Sequence, residues 1–322
     1  MIALPSRALT IREGTEAVQA RPATEADWPK IVEIHCSIPD MPWARPPEEM
    51  TPDERSEYGG WWMSLETLSE LYRQYAERHS PILVAEDAAG RVVGNVDLWL
   101  AREPEPVGAS ASVEIVQEHA EYVGSGLENE LLRYSVEVAQ ALGCPSLDGS
   151  FGWGGLSTDY FEKRQMGFRI WDEHDQIEVA CVPGPTTGLS DASPSGDTVR
   201  DAVILARWAP TEFVWLNRTE QGDHHLRVEI DGAICFVGGF DAVNVRGPGP
   251  RGDMLDATFY VPGDRRHDAA LVSKLLRAYA AYGAERGYRV FRTGVPSVIT
   301  PELRDVEIGS GQYVATCLRM KL

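Results

Sequence analysis

The feature that most constrains this chain is a pattern that occurs twice. Residues 126–143 and 270–287 have equal length, and Leu131-Leu132-Arg133 of the first falls on Leu275-Leu276-Arg277 of the second. Leu127, Leu131, Val138 and Leu142 recur at helical spacing, and a glycine (Gly143, Gly287) closes each stretch as helix C-termini favour. The surroundings repeat as well. Residues 81–101 alternate about Ala89-Gly90 and residues 226–240 about Asp231-Gly232, so both read as β-hairpins. A strand precedes each helix (110–117 and 254–261) and another follows it (145–151 and 288–295). This order of hairpin, strand, helix and strand predicts an internal duplication and an α/β fold, α+β in detail, built on a mixed sheet.

The repeat divides the chain. Residues 183–199 are rich in Pro, Gly, Ser, Thr and Asp and read as a linker, leaving domains at 1–182 and 200–322. The first half carries more at its front. A short strand at 18–20 leads to Thr24, a helix cap with Asp27 three residues on, and then to a helix bearing Trp28, Ile31, Val32 and Ile34. A second amphipathic helix spans 65–78, a short helical stretch covers 159–165, and strand-like sequence fills 168–182. In the second half, residues 200–217 must stand in for two helices, so that half is abbreviated.

Charge and composition exclude several classes. No apolar run approaches the roughly 18 residues that a membrane-spanning helix needs. The N-terminus lacks a basic region followed by an apolar core, and the five cysteines are scattered, which predicts a cytoplasmic protein with reduced thiols. His35-Cys36 and His224-His225 lack ligand spacing, so no metal site is expected. Of the net charge of −19, −18 falls in residues 1–182, where 32 acids meet 14 bases. Such a balance disfavours nucleic acid as a partner. The acidic half either attracts a cationic small molecule or is a solvated surface.

The chemistry concentrates in the strand, loop and helix at 112–132. The loop reads Glu121-Tyr122-Val123-Gly124-Ser125-Gly126-Leu127, and a glycine pair at a helix's positive end lets phosphate oxygens approach backbone N–H groups. With Arg21-Pro22-Ala23-Thr24-Glu25-Ala26-Asp27, the hairpin at 89–94 and Met166-Gly167-Phe168-Arg169, this loop makes the first half resemble the GNAT superfamily of N-acetyltransferases. The whole chain looks like a tandem of two such modules. The resemblance implies acyl-CoA, acetyl-CoA above all, as co-substrate, bound where two central strands splay apart. Val116, Gln117, Val123, Gly124, Ser125, Gly126 and Leu127 would then line the cofactor site. The family loop reads Arg/Gln-x-x-Gly-x-Gly/Ala. Aligned on the helix, this chain places Val123, Gly126 and Glu128 at the key positions; aligned on the glycines, it places Glu121, Gly124 and Gly126 there. The second half offers His267, Ala270 and Val272, and the glycines are gone.

Acyl transfer to an amine needs a base for the ammonium proton and benefits from an acid for the leaving thiolate. Glu114, amid β-branched neighbours, is the candidate base if buried, or a surface position if not; Asp256 is its counterpart. The family often carries a tyrosine near the sulfur, where this chain has Tyr160, with a core tyrosine as the alternative. Trp43, Trp61 and Trp62, among acidic residues, either shape a pocket for a small, cationic amine or pack the two halves together. The expected function is acyl-CoA-dependent N-acyl transfer to a small amine. The alternatives are a non-catalytic acyl-CoA-binding scaffold and transfer of a different acyl or aminoacyl group.

Overall fold

The computed structural model describes residues 4–37, 49–51, 61–149, 163–184, 188–217, 224–243, 250–309 and 313–322. Its first half contains β1 (Arg7–Ile11), β2 (Glu16–Pro22), α1 (Trp28–Cys36), α2 (Leu65–Glu77), β3 (Ile82–Glu86) and β4 (Val92–Arg102). There follow β5 (Ala109–Glu118), α3 (Leu127–Ala141), β6 (Ser146–Gly149) and β7 (Arg169–Ala180). Next come β8 (Ser190–Asp191), β9 (Ala202–Ile204), α4 (Thr211–Asn217), β10 (His224–Ile230) and β11 (Ala233–Val243). The chain closes with β12 (Pro250–Pro262), α5 (Ala269–Glu285), β13 (Val290–Pro296) and β14 (Tyr313–Lys321). None of the described helices is long and apolar enough to cross a membrane.

The strands form one 14-stranded mixed sheet in the order β1-β2-β3-β4-β5-β6-β14-β7-β13-β12-β11-β10-β8, with β9 attached to β12 off that path. Only β5–β6 and β12–β13 are parallel among the described pairs, and each encloses a helical crossover, α3 or α5. The order therefore reads alike outward from the β14–β7 contact: β6, β5, β4, β3 on one side and β13, β12, β11, β10 on the other. At the centre the strands interlock. β14, last in sequence, lies against β6, while β7 from the first half lies against β13.

α3 and α5 pack on the sheet through separate cores. Leu127, Leu131, Leu132 and Val138 of α3 are fully buried over β1–β6, and each contributes roughly 1.5–3 kcal/mol relative to an exposed position. The approach is close enough to require glycine in β4, since a Cβ on Gly94 would sit 2.9 Å from Leu131. The two helices differ in length, against expectation: α3 has 15 residues and begins after Gly126, whereas α5 has 17 and begins after Asp268. A third core, on the opposite side of β4, joins α1 and α2 to α4, with Tyr72, Tyr75 and Trp99 meeting Phe213, Trp215 and Tyr260. At the front, Thr24 caps as expected, donating its N–H and hydroxyl to Asp27 at 2.8 and 2.9 Å. The segment read as a linker holds β8, which pairs with β10.

Candidate active site

β5 pairs in parallel with β6 only from Ala111 to Val113, opposite Leu147 to Gly149. It then runs on to Glu118 with β4 on one side and no strand on the other among the described residues. Glu114 stands at the point of parting. The β4–β5 register passes from Leu98↔Val113 to Asp97↔Ile115, so Glu114 is a bulge residue. Bulges re-aim side chains, and the Glu114 Oε1 here is buried without a hydrogen-bond partner. Burial pushes its carboxyl up to about 8, against the Ser112 hydrogen bond and the Arg207 charge, with Glu103 and Asp148 adding to the rise. Arg207 comes from the later half of the chain, where it bonds Glu103 and reaches Asp148 at 3.0 Å.

Alternation along β4 turns Gly94, Val96 and Leu98 toward α3, and Asn95, Asp97 and Trp99 toward α1 and α2. Asp97 is fully buried and receives the Trp62 indole N–H at 3.0 Å, the Tyr72 hydroxyl at 3.1 Å and the Asn95 amide at 3.1 Å. Desolvation raises its carboxyl to about 6, and those three donors hold it from rising further. Trp62 thus lies on the side of β4 that faces α1 and α2, and Tyr75 is within electrostatic reach of both Asp97 and Glu114. Sequence reading missed Asp97, because one acid inside an apolar strand carries no motif. Trp61 lies in a 3-10 turn at Trp61–Met63, but its side chain, like Trp43 and Tyr160, falls outside the described residues.

The loop before α3 carries two glycines in the left-handed region. Gly124 and Gly126 adopt φ of +77° and +86°, and a Cβ at either would meet nothing within 4 Å. Val123 is exposed, Leu127 is buried under the helix, and the Ser125 hydroxyl accepts the Leu127 N–H at 3.2 Å. The amides are already in use, however. Glu118 accepts from the Gly124 N–H at 3.3 Å and the Glu128 N–H at 3.2 Å, one carboxylate oxygen each. Burial raises the Glu118 carboxyl, and these two amides oppose the rise. Glu128 turns to Lys163 at 2.8 Å and Glu121 to Arg91 at 2.7 Å. The acid that faces the amides is therefore one that the loop motif did not include. Val116 and Gln117 sit on the unpaired reach of β5, opposite Val96 and Asn95.

No family model and no curated protein matches the chain. Among solved structures, a GCN5-related N-acetyltransferase from Kribbella flavida matches with a TM-score of 0.59 at 14% identity, over 96% of this chain and 72% of that one. Another, from Anabaena variabilis, matches at 0.57 and 10% identity over 94% and 72%. A glucosamine N-acetyltransferase region of a fungal multi-domain β-N-acetylglucosaminidase matches at 0.51 and 13% identity, over 95% of this chain and 38% of that one. The chain has the fold of the GCN5-related N-acetyltransferases.

Within that acetyltransferase fold, the two parting strand pairs differ. β12 leaves β13 after Asp256–Arg292, but β9 then takes the vacated edge, pairing Ile204 with Tyr260 and Ala202 with Pro262. The Leu205 N–H continues the pairing to the Phe259 carbonyl at 2.8 Å. The start of α5 is closed too. Asp268 accepts the Ala270 and Leu271 N–H groups at 3.1 and 3.0 Å and is itself bonded by Arg265. Asp256, the counterpart of the candidate base, is held bidentately by Arg292 at 2.6 and 2.7 Å. No group of three or more metal-ligating side chains occurs among the described residues.

Proposed function

We propose that this chain is an acyl-CoA-dependent N-acyltransferase whose reaction is carried by residues 1–182, with residues 200–322 as a second, abbreviated acetyltransferase-like module. The acetyl group is the simplest donor to test. The observation that carries the reading is Glu114: a carboxyl with one buried, unpartnered oxygen, set on a bulge where β5 parts from β6. The open edge at Val116 and Gln117 and the amides of Val123, Gly124, Ser125, Gly126 and Leu127 form the side on which acyl-CoA would lie. When bound, it supplies an activated acyl carbon as a thioester. Glu114 then takes the proton from the acceptor nitrogen as that nitrogen bonds the acyl carbon; the C–S bond breaks, and the thiolate is protonated from Tyr160 or water. Trp62 and Asp97 shape the acceptor side, with Trp43 and Trp61 proposed alongside them.

A second reading has one observation in its favour. Glu118 and Asp268 occupy the helix-start amides of both halves, which suits a scaffold that has lost the cofactor. Thiol release from acetyl-CoA over a panel of amines separates the two. Turnover that falls at least about 100-fold in Glu114→Gln supports the enzyme. Absence of both turnover and acetyl-CoA binding supports the scaffold.

A further inference from the structure

Lys163 is buried where a cation is out of place. Its side chain is 2% exposed, and its ammonium donates to Glu128 Oε1 at 2.8 Å and to Asn129 Oδ1 at 3.4 Å. Both acceptors lie in the first turn of α3, which follows the cap residue Gly126. The amides at a helix start carry partial positive charge, so they repel an ammonium that has already lost its water. The ion pair with Glu128 explains little of this burial. The Glu128 side chain is 44% exposed, so water solvates it with or without the lysine.

Three donors converge on this turn, and two carboxylates occupy them. Glu118 spans the Gly124 and Glu128 amides, and Glu128 holds Lys163. Lys163 also lies within electrostatic reach of Glu118. No other described cation bonds either carboxylate. Two backbone N–H groups beside one ammonium make the donor set that two linked phosphate groups use, a lysine serving as a point charge next to converging amides. The space over the loop is open, since a Cβ at Gly124 or Gly126 would meet nothing within 4 Å. The loop itself, residues 121–127, contains no basic side chain. Lys163, which lies well beyond it in the chain, supplies positive charge to the same place.

We infer that Lys163 and the Gly124 and Glu128 amides bind a diphosphate, and that Glu118 and Glu128 stand in for its two phosphate groups until it arrives. The inference rests on the acyl-CoA reading for the identity of the ligand and deepens it. The charge that the glycine loop lacks comes from outside the loop, and entry of the ligand requires both carboxylates to turn outward. Affinity is then a competition between the internal pair of carboxylates and the incoming diphosphate.

The test titrates the full chain with acetyl-CoA and with 3′-dephospho-CoA, which keeps the diphosphate and lacks the third phosphate. The shift of thermal unfolding by inorganic pyrophosphate is measured alongside. Lys163→Met should weaken both nucleotides at least about tenfold, the scale of one lost charge contact. The same loss is expected between Glu128→Gln and the double variant Glu128→Gln/Lys163→Met, which removes both partners and leaves no charge unpaired. A lysine with a merely structural role would lower the unfolding temperature and leave the affinities alike. Unchanged acetyl-CoA affinity in either comparison overturns the inference and leaves the acyltransferase standing. A loss with acetyl-CoA but not with 3′-dephospho-CoA also overturns it, because the lysine then reads the 3′-phosphate. A loss with both nucleotides, without turnover of any amine, upholds the inference and removes the enzyme. Stabilisation by pyrophosphate that Lys163→Met abolishes, in a chain that binds no acetyl-CoA even as Glu118→Gln, upholds the diphosphate site and removes acyl-CoA as its ligand. If neither pyrophosphate nor acetyl-CoA binds, both fall.

Discussion

Glu114 and Glu118 lie four residues apart on β5, and burial raises both carboxyls, but only Glu118 is bonded to the amides at the start of α3. Glu114 keeps its proton up to about pH 8 in the folded chain, against 4.5 for an ordinary glutamate. Between those values the native state binds the extra proton, so its contribution to stability falls as pH rises through the window. Replacing it with Gln should therefore raise the unfolding temperature more at pH 9 than at pH 5. The same ionisation should give wild-type turnover an acidic limb near pH 8. Calorimetry and a pH–rate profile check the two; an equal gain at both pH values would contradict the assigned burial. Glu118 fills the amides that a diphosphate would use, so Glu118→Gln should tighten acetyl-CoA binding about tenfold, the scale of one removed charge repulsion. Gly126→Val is a poorer probe, because φ of +86° strains any β-branched residue with or without ligand. The sequence singled out Glu114 because it stands in the strand that leads into the glycine loop. It could not single out Glu118 or Asp97, whose roles depend on which edge is free and on which side of the strand the alternation falls.

Both helices that follow the central strands are legible from periodicity, and so are the two hairpins, because repeated burial on one side imposes a repeated pattern. β9, β14 and β1 are not. β9 is three residues long, and its significance comes wholly from the edge that it covers. β14 alternates weakly, as a strand buried between β6 and β7 does. The unequal edges predict a difference in hydrogen exchange. On the reach of β5 from Glu114 to Glu118, amides that point away from β4 have no strand to bond among the described residues and should exchange quickly. Amides of β12 from Thr258 to Val261 are flanked by β11 and β9 and should be protected throughout. Adding acetyl-CoA should slow exchange on β5 and leave β12 unchanged. Slowing on β12 alone would move the cofactor to the second half.

At the scale of the whole molecule, the two halves share their central strands. β14 completes the sheet beside β6, β7 completes it beside β13, and the two pair with each other from Tyr313–Gln176 to Arg319–Arg169. Buried ion pairs tie the same seam: Arg319 grips Asp148 at 2.6 and 2.7 Å, and Arg207 crosses from the later half to Glu103 and Asp148. Leaving one member of such a network unpaired in the interior is costly, on the order of 3–5 kcal/mol. The later half thereby supports the carboxyl cluster around Glu114, while its own parting strands are filled by β9 and its own helix start by Asp268. A chain with one parting edge open and the other filled should bind one acyl-CoA, not two. Titration calorimetry of the intact protein with acetyl-CoA, or with Glu118→Gln if wild-type binding is too weak, should give one site per chain. Ala270→Val should leave affinity and stoichiometry unchanged, since the amide of Ala270 already bonds Asp268. Two sites per chain, or one site abolished by Ala270→Val, would show that β9 yields to the cofactor and that the second half is the binding module.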